Sequence, residues 1–214
     1  MNKGKLVIFD LLLRFVFNYP SFLDKGFVKK FIRIPFLHLV GKVDYDTKVA
    51  IDDKYKEPFK RGLTKYLELE QDQPRKVLDL GTGTGAASIY FAENLNDARV
   101  EGVDISEGMV EKARKKAEKG ELNNIKFIEG DIYDLPYENN TFDLITVSNA
   151  PFSFSEVKRS LKEGGYFLIS LSKGGGFLAD REEKVGNKLL KYGFKLKAIE
   201  SINERGLFVL SKLA

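Results

Sequence analysis

The chain contains no cysteine and a single histidine, His38. Without cysteine there is no disulfide framework, thiolate metal site or cysteine nucleophile, and a reducing cytosol is the expected compartment. One histidine rules out a two-histidine metal centre and forces any Ser-His-Asp triad through His38, so no metal is expected. Uninterrupted apolar runs of about 18 residues are also missing, because Asp10, Arg14 and Asp24 break the most apolar stretch. A membrane-spanning helix is therefore not expected. Nor is a secretory signal, since Arg14 interrupts Leu6 to Phe17 and no small-residue cleavage site comes after it. Internal repeats and low-complexity tracts are absent. No Gly-Lys is followed by Ser or Thr, which excludes a P-loop, and no Tyr-x-x-x-Lys pair exists to serve a short-chain dehydrogenase.

What remains is 214 residues with 43% hydrophobic and 31% charged side chains, enough for one α/β domain with an appendage. The net charge of +4 is unevenly placed: residues 1–42 hold eight Lys/Arg against Asp10 and Asp24, so the rest of the chain is net acidic. The same segment is dense in aromatics, among them Phe9, Phe15, Phe17, Tyr19, Phe27 and Phe31, interleaved with Leu, Ile and Val. Its composition admits a nucleic-acid platform, a membrane-surface segment or a lid packed on protein. Interleaved aliphatics suit burial against protein or lipid better than base stacking.

The polar cluster Gln71-Asp72-Gln73-Pro74 separates an amphipathic helical pattern, 54–69, from a strand. It divides the chain into an N-terminal cap, residues 1–73, and a core, residues 74–214. Strand and helix signals then alternate. Strands are expected over 77–80, 100–104, 125–128, 142–148 and 166–171, and helices over 86–95, 107–119, 155–161 and 180–192. Two closing strands, 194–202 and 207–213, are joined by Asn203-Glu204-Arg205-Gly206, a turn short enough for a hairpin. Repeated βα units predict a doubly wound parallel sheet with helices on both faces, and the hairpin makes its last strand antiparallel.

Between the first strand and its helix lies Asp79-Leu80-Gly81-Thr82-Gly83-Thr84-Gly85, a turn whose glycines let the backbone approach a ligand at a helix N-terminus. Gly81, Gly83 and Ala86 also satisfy the G-x-G-x-x-A form of a dinucleotide site, so the turn alone is ambiguous. Acids at successive strand ends separate the readings. Asp104 ends the second strand, where a carboxylate can accept both hydroxyls of a ribose, and Asp131 comes after the third with Ile132 as an apolar neighbour. With Asp79, three acids around one pocket suit a cationic ligand and repel a pyrophosphate.

These residues resemble the class I S-adenosylmethionine (SAM)-dependent methyltransferases, specifically the small-molecule "type 11" group, from about Lys76 to Leu213. The stretch from Val77 to Gly85 resembles the family's first motif and Val103-Asp104-Ile105-Ser106 with Met109 its second-strand motif. Gly130-Asp131-Ile132 resembles the adenine motif, Thr141 to Ile145 the fourth strand, and Leu161-Lys162-Glu163-Gly164-Gly165 the usual Leu-Lys-Pro-Gly-Gly turn with Glu163 in place of Pro. The resemblance implies a Rossmann-like seven-stranded sheet of order 3-2-1-4-5-7-6 and SAM as cofactor. It implies Asp79, Gly81, Thr82, Gly83 and Gly85 around the methionine end, Asp104 on the ribose, Ile105 and Met109 beside the adenine, and Asp131 with Ile132 at its edge.

Ser148-Asn149-Ala150-Pro151-Phe152 is similar to the Asn-Pro-Pro-Tyr/Phe signature of enzymes that methylate planar nitrogens, with Ala150 replacing the first Pro. Asn149 is accordingly a candidate acceptor contact, and His38 is the one imidazole that could take a proton. Lys173-Gly174-Gly175-Gly176-Phe177 reads as a flexible connection on the same edge. The resemblance implies that the segment before the first strand usually closes over the acceptor. Residues 1–42 are thus read first as a lid, second as a peripheral membrane contact and last as a nucleic-acid surface, with a small apolar or amphiphilic acceptor. Two other readings stay open: a SAM-binding protein without transferase activity and a nicotinamide-dependent oxidoreductase.

Overall fold

The computed structural model describes residues 53–70, 72–172, 182–202 and 206–214. His38, residues 1–42, the glycine loop 173–177 and the turn residues 203–205 lie outside the described residues.

The elements run in the order α1 (Asp53–Leu69), β1 (Lys76–Leu80), α2 (Ala86–Asn94), β2 (Arg99–Asp104), α3 (Glu107–Lys119), β3 (Ile125–Glu129) and β4 (Phe142–Ser148). They continue with α4 (Phe154–Ser160), β5 (Leu161–Leu171), α5 (Glu182–Lys191), β6 (Phe194–Ile202) and β7 (Gly206–Leu213). The seven strands form one sheet ordered β3-β2-β1-β4-β5-β7-β6, with β7 antiparallel to both neighbours and every other pairing parallel. This is the doubly wound architecture expected from the βα alternation.

The buried strands read as near-continuous apolar runs because both faces are covered. Alternate residues divide between two cores. Val77, Val100, Leu144, Leu168 and Phe208 face α1 and α2, whose Phe59, Leu63, Tyr66 and Phe91 complete that layer. Leu78, Leu80, Ile145, Phe167 and Val209 face the opposite layer, with Val157 of α4 and Leu189 of α5. In α3, Val110, Ala113 and Ala117 recur at helical spacing and pack on Phe127 of β3. Phe59, Leu63 and Tyr66 of α1 are each at most 5% exposed. At roughly 1.5 to 3 kcal/mol gross per buried large side chain, they bind this helix firmly to the sheet.

Most boundaries fall within a residue of expectation, and the largest departure lies at the start of β5. The helix expected over 155–161 starts and ends one residue earlier, and β5 begins at Leu161 rather than Tyr166. Ser153 caps α4 by accepting from the Glu156 N–H at 3.4 Å, the Ser-x-x-Glu pattern of a capping box. Fully buried Leu161 then pairs with Phe142, whereas the next register pair is Leu144 with Tyr166. The intervening Lys162 to Gly165 bulge outward, with Gly164 at φ 71°.

The strand order reverses beside β1, whose neighbours β2 and β4 lead in opposite directions across the sheet. Loops leaving the carboxyl ends of β1 and β4 diverge to opposite faces there, at the position where open α/β sheets generally bind ligands.

Candidate functional site

The turn after β1 is built on three glycines with positive φ, Gly81 at 64°, Gly83 at 55° and Gly85 at 85°. Such values are strained for any residue with a Cβ. Their side-chain directions differ. A Cβ on Gly85 would stand 2.9 Å from Phe127 Cζ and 3.1 Å from Ala113 Cβ, so this glycine lets α2 seat against β3 and α3. A Cβ on Gly83 would meet nothing within 4 Å among the described residues. Gly83 is therefore free of any packing need for its missing side chain, and its backbone borders open space.

The second strand holds this loop in place. Asp104 accepts from the Gly83 N–H through Oδ2 at 2.9 Å and from the Ser106 N–H through Oδ1 at 3.0 Å, while the Thr82 N–H donates to the Val103 carbonyl at 3.0 Å. Each Asp104 oxygen keeps acceptor capacity beyond these bonds. Burial pushes the Asp104 carboxyl above its ordinary value, and the N–H groups of Ser106, Gly83 and Ile105 oppose that rise.

Asp79 sits beneath the loop and is 1% exposed. Its Oδ2 lies 2.8 Å from the Thr82 hydroxyl and 2.6 Å from the Ser88 hydroxyl, and those two hydroxyls are 2.7 Å apart. Among the described residues, its buried Oδ1 has no hydrogen-bond partner. Burial raises the Asp79 carboxyl to about 6, against the lowering effect of the two hydroxyls, and the neighbouring charge of Asp104 adds to the rise. Ser88 was not among the residues singled out from the sequence. The available signal was a small hydroxyl one turn into α2, on the face turned to the strand.

Of the remaining candidates, Ile105 is half-buried after β2, and Met109 is 5% exposed on α3. Asp131 accepts from the Tyr133 N–H at 3.0 Å and shapes the turn after β3. Ile132 is 5% exposed within the core cluster that includes Leu80 and Val103. Among the described residues, no three His, Cys, Asp or Glu side chains cluster as metal ligands, and no helix is long and apolar enough to cross a membrane.

At the end of β4, Asn149 adopts φ 53° and its N–H donates to the Ser170 carbonyl at 3.0 Å. Its side-chain amide brackets Ser172: Nδ2 donates to Ser172 Oγ at 2.9 Å and Oδ1 accepts from the Ser172 N–H at 2.8 Å. Ser172 in turn donates its hydroxyl to the Tyr55 carbonyl at 2.6 Å. The first turn of α1 is thus tied to the carboxyl edge of the sheet, beside β4 and β5. Ser172 and Tyr55 were also missed by sequence reasoning. The contact spans 117 residues and leaves no local signature.

Among the described residues, the arrangement therefore offers a buried acid with one unpartnered oxygen, a second acid at the end of β2, and a glycine bonded to that second acid whose missing side chain would meet no neighbour. Those groups fit a ligand with a cationic end and a ribose diol, as SAM has, and do not favour a pyrophosphate.

Comparison with known proteins supplies independent findings. Residues 71–202 match the family described as "Methyltransferase domain". The chain is 36% identical over 109 residues to a demethylmenaquinone methyltransferase of Bacteroides fragilis, covering 47% of this chain and 44% of that one. It is 34% identical over 145 residues to a ribosomal protein L11 methyltransferase of Dictyoglomus turgidum, covering 64% of this chain and 43% of that one. The chain thus spans less than half the length of either relative. A crystal structure of a SAM-dependent methyltransferase from Aquifex aeolicus shares the fold, with a TM-score of 0.60 at 21% identity, covering 85% of this chain and 97% of that one.

Proposed function

The chain belongs to the SAM-dependent methyltransferase family, and from that premise we propose that it transfers the methyl group of SAM to a small apolar or amphiphilic acceptor of the menaquinone type. The observation that carries the cofactor half of this reading is the Gly83–Asp104 pairing beside open space. Bound SAM supplies an electrophilic methyl on a sulfonium. What the chain must add is alignment, because such a methyl needs its nucleophile within about 3 to 3.5 Å and in line.

Asp104 accepts the ribose hydroxyls with lone pairs left over from Gly83 and Ser106. Asp79 offers its unpartnered Oδ1 to the cationic methionine end. Gly81, Thr82 and Gly83 line that end, and Gly85 closes the turn and seats the helix. Ile105 and Met109 flank the adenine, with Asp131 and Ile132 at its edge. The acceptor lies by Asn149 at the end of β4, and His38 takes its proton where it has one to lose. Support for a lid comes from two facts: residues 1–42 are rich in aromatics and aliphatics, and α1, which comes after them in the chain, begins against Ser172 at this edge. The relative named for demethylmenaquinone supports an amphiphilic acceptor.

The test is transfer of labelled methyl from SAM to a panel holding a demethylated naphthoquinol with a short isoprenoid tail, a ribosomal protein L11 substrate and RNA. Label on the quinol supports the proposal, and label on the protein alone replaces the acceptor class. SAM binding with no transfer to any acceptor favours a binding protein. Binding of a nicotinamide dinucleotide in place of SAM would return the oxidoreductase reading.

A further inference from the structure

Asp79 Oδ2, Thr82 Oγ1 and Ser88 Oγ form a closed triangle with edges of 2.8, 2.7 and 2.6 Å. All three edges have hydrogen-bonding length, yet the two hydroxyls carry only two hydrogens between them. With Asp79 ionised, one edge lacks a hydrogen. With Asp79 neutral, its own proton completes the ring: Asp79 donates to Thr82, Thr82 donates to Ser88, and Ser88 donates back to Asp79.

Burial and Asp104 favour the neutral form, against the two hydroxyls and the Ser88 N–H, which favour the charged one. Asp79 is 1% exposed, Thr82 8% and Ser88 0% among the described residues. Asp104, at the end of β2, is the charged group that bears on Asp79 from a neighbouring element, and it is of like sign. Lys116 of α3 reaches toward the loop, but its ammonium donates to Thr84 Oγ1 at 2.9 Å. The carbonyl-side oxygen Oδ1 has no partner among the described residues. A cation brought close to this carboxyl reverses the balance, because a buried carboxylate near a cation is stabilised in its charged form.

We propose that the Asp79–Thr82–Ser88 triangle stores a proton in the free protein and releases it when the cationic end of SAM binds, with Ser88 the positioning residue that sets how readily it leaves. The Asp79 O–H bond breaks, its electron pair stays on the carboxylate, and the proton passes to the buffer. This rests on the reading of Asp79 as the partner of the methionine end. Burial, which raises the Asp79 carboxyl, is in accord with a stored proton, and the Ser88 and Thr82 hydroxyls oppose that rise, so they set how far it goes.

The experiment is titration calorimetry of the full-length protein with SAM and with S-adenosylhomocysteine from about pH 5 to pH 7.5, in buffers of differing ionisation enthalpy. The ligand's carboxyl titrates below this window, and its amine, with a pKa of about 8, contributes proton uptake only near the upper end, where release by Asp79 is already small. Proton release should approach about one per ligand at the acid end and fall toward zero at the neutral end. Affinity should weaken by about tenfold per pH unit below the Asp79 midpoint. Asp79→Asn should bind more weakly, with no release and a flat profile, and Ser88→Ala should move the midpoint to higher pH. The wild-type proton count needs no variant, so a misfolded substitution does not blunt the test. Equal affinity across the range without proton release, or release that persists in Asp79→Asn, overturns the proposal. Failure of both ligands to bind at any pH overturns the cofactor reading on which it rests.

Discussion

The Gly83 N–H donates to Asp104 Oδ2 at 2.9 Å across a separation of 21 residues, locking the turn after β1 to the end of β2. One carboxylate thus does two things. It satisfies a loop N–H that has no strand partner, and it presents its remaining lone pairs to the space that Gly83 leaves open.

Removing that carboxylate should cost binding more than folding. Asp104→Ala loses the charge-assisted bonds to a ribose, each about 1.5 to 3 kcal/mol gross, and should weaken SAM on the order of a hundredfold. Asp104→Asn keeps the shape but aims a donor at N–H groups, so it should not restore affinity. Calorimetric Kd values near wild type in either variant contradict the assignment.

The two glycines should separate in a paired measurement. Gly83→Ala incurs backbone strain of about 1 to 2 kcal/mol and places its methyl in open space, so SAM affinity should suffer more than stability. Gly85→Ala adds to similar strain a clash with Phe127, so its urea midpoint should fall further. Equal losses of stability in both would show that Gly85 has no packing role.

Asp79 should destabilise the ligand-free protein at neutral pH. Its carboxyl is raised from 3.8 to about 6, so the folded state binds more protons than the unfolded one between those values. Stability therefore falls as pH rises through that window and stays lower above it, by on the order of 3 kcal/mol. Asp79→Asn removes this burden. Its Tm should exceed wild type by about 5 °C or more at pH 8 and by little at pH 4, while SAM affinity drops. A variant less stable than wild type at pH 8 contradicts this account.

Deleting residues 1–42 should leave SAM affinity within about tenfold of wild type, since the groups assigned to the cofactor lie downstream, yet abolish methyl transfer through loss of water exclusion. A matching thermal transition of the truncated protein serves as the folding control. Full turnover by the truncated protein refutes the lid. Salt-sensitive binding of the intact chain to RNA, with none to anionic vesicles, would point to the nucleic-acid surface instead.

Much of the fold was legible in the chain because its signals are local. Apolar runs bounded by turns mark β4 and β7, and helical spacing of apolar residues marks α1 and α3. The boundary at β5 was less so: Lys162-Glu163-Gly164-Gly165 reads as a turn, and only the pairing of Leu161 with Phe142 draws it into the sheet.

By itself the sequence determined the alternation of strands and helices, the glycine turn after β1 and the acids at successive strand ends, since period, composition and spacing are properties of neighbouring residues. Tertiary structure alone decided that Gly85 faces Phe127 while Gly83 faces open space, that Ser88 joins Asp79, and that Asn149 clasps Ser172 and, through it, α1. Each of these depends on how distant elements approach one another. Their chemistry comes from burial and from hydrogen-bond partners brought together by the fold.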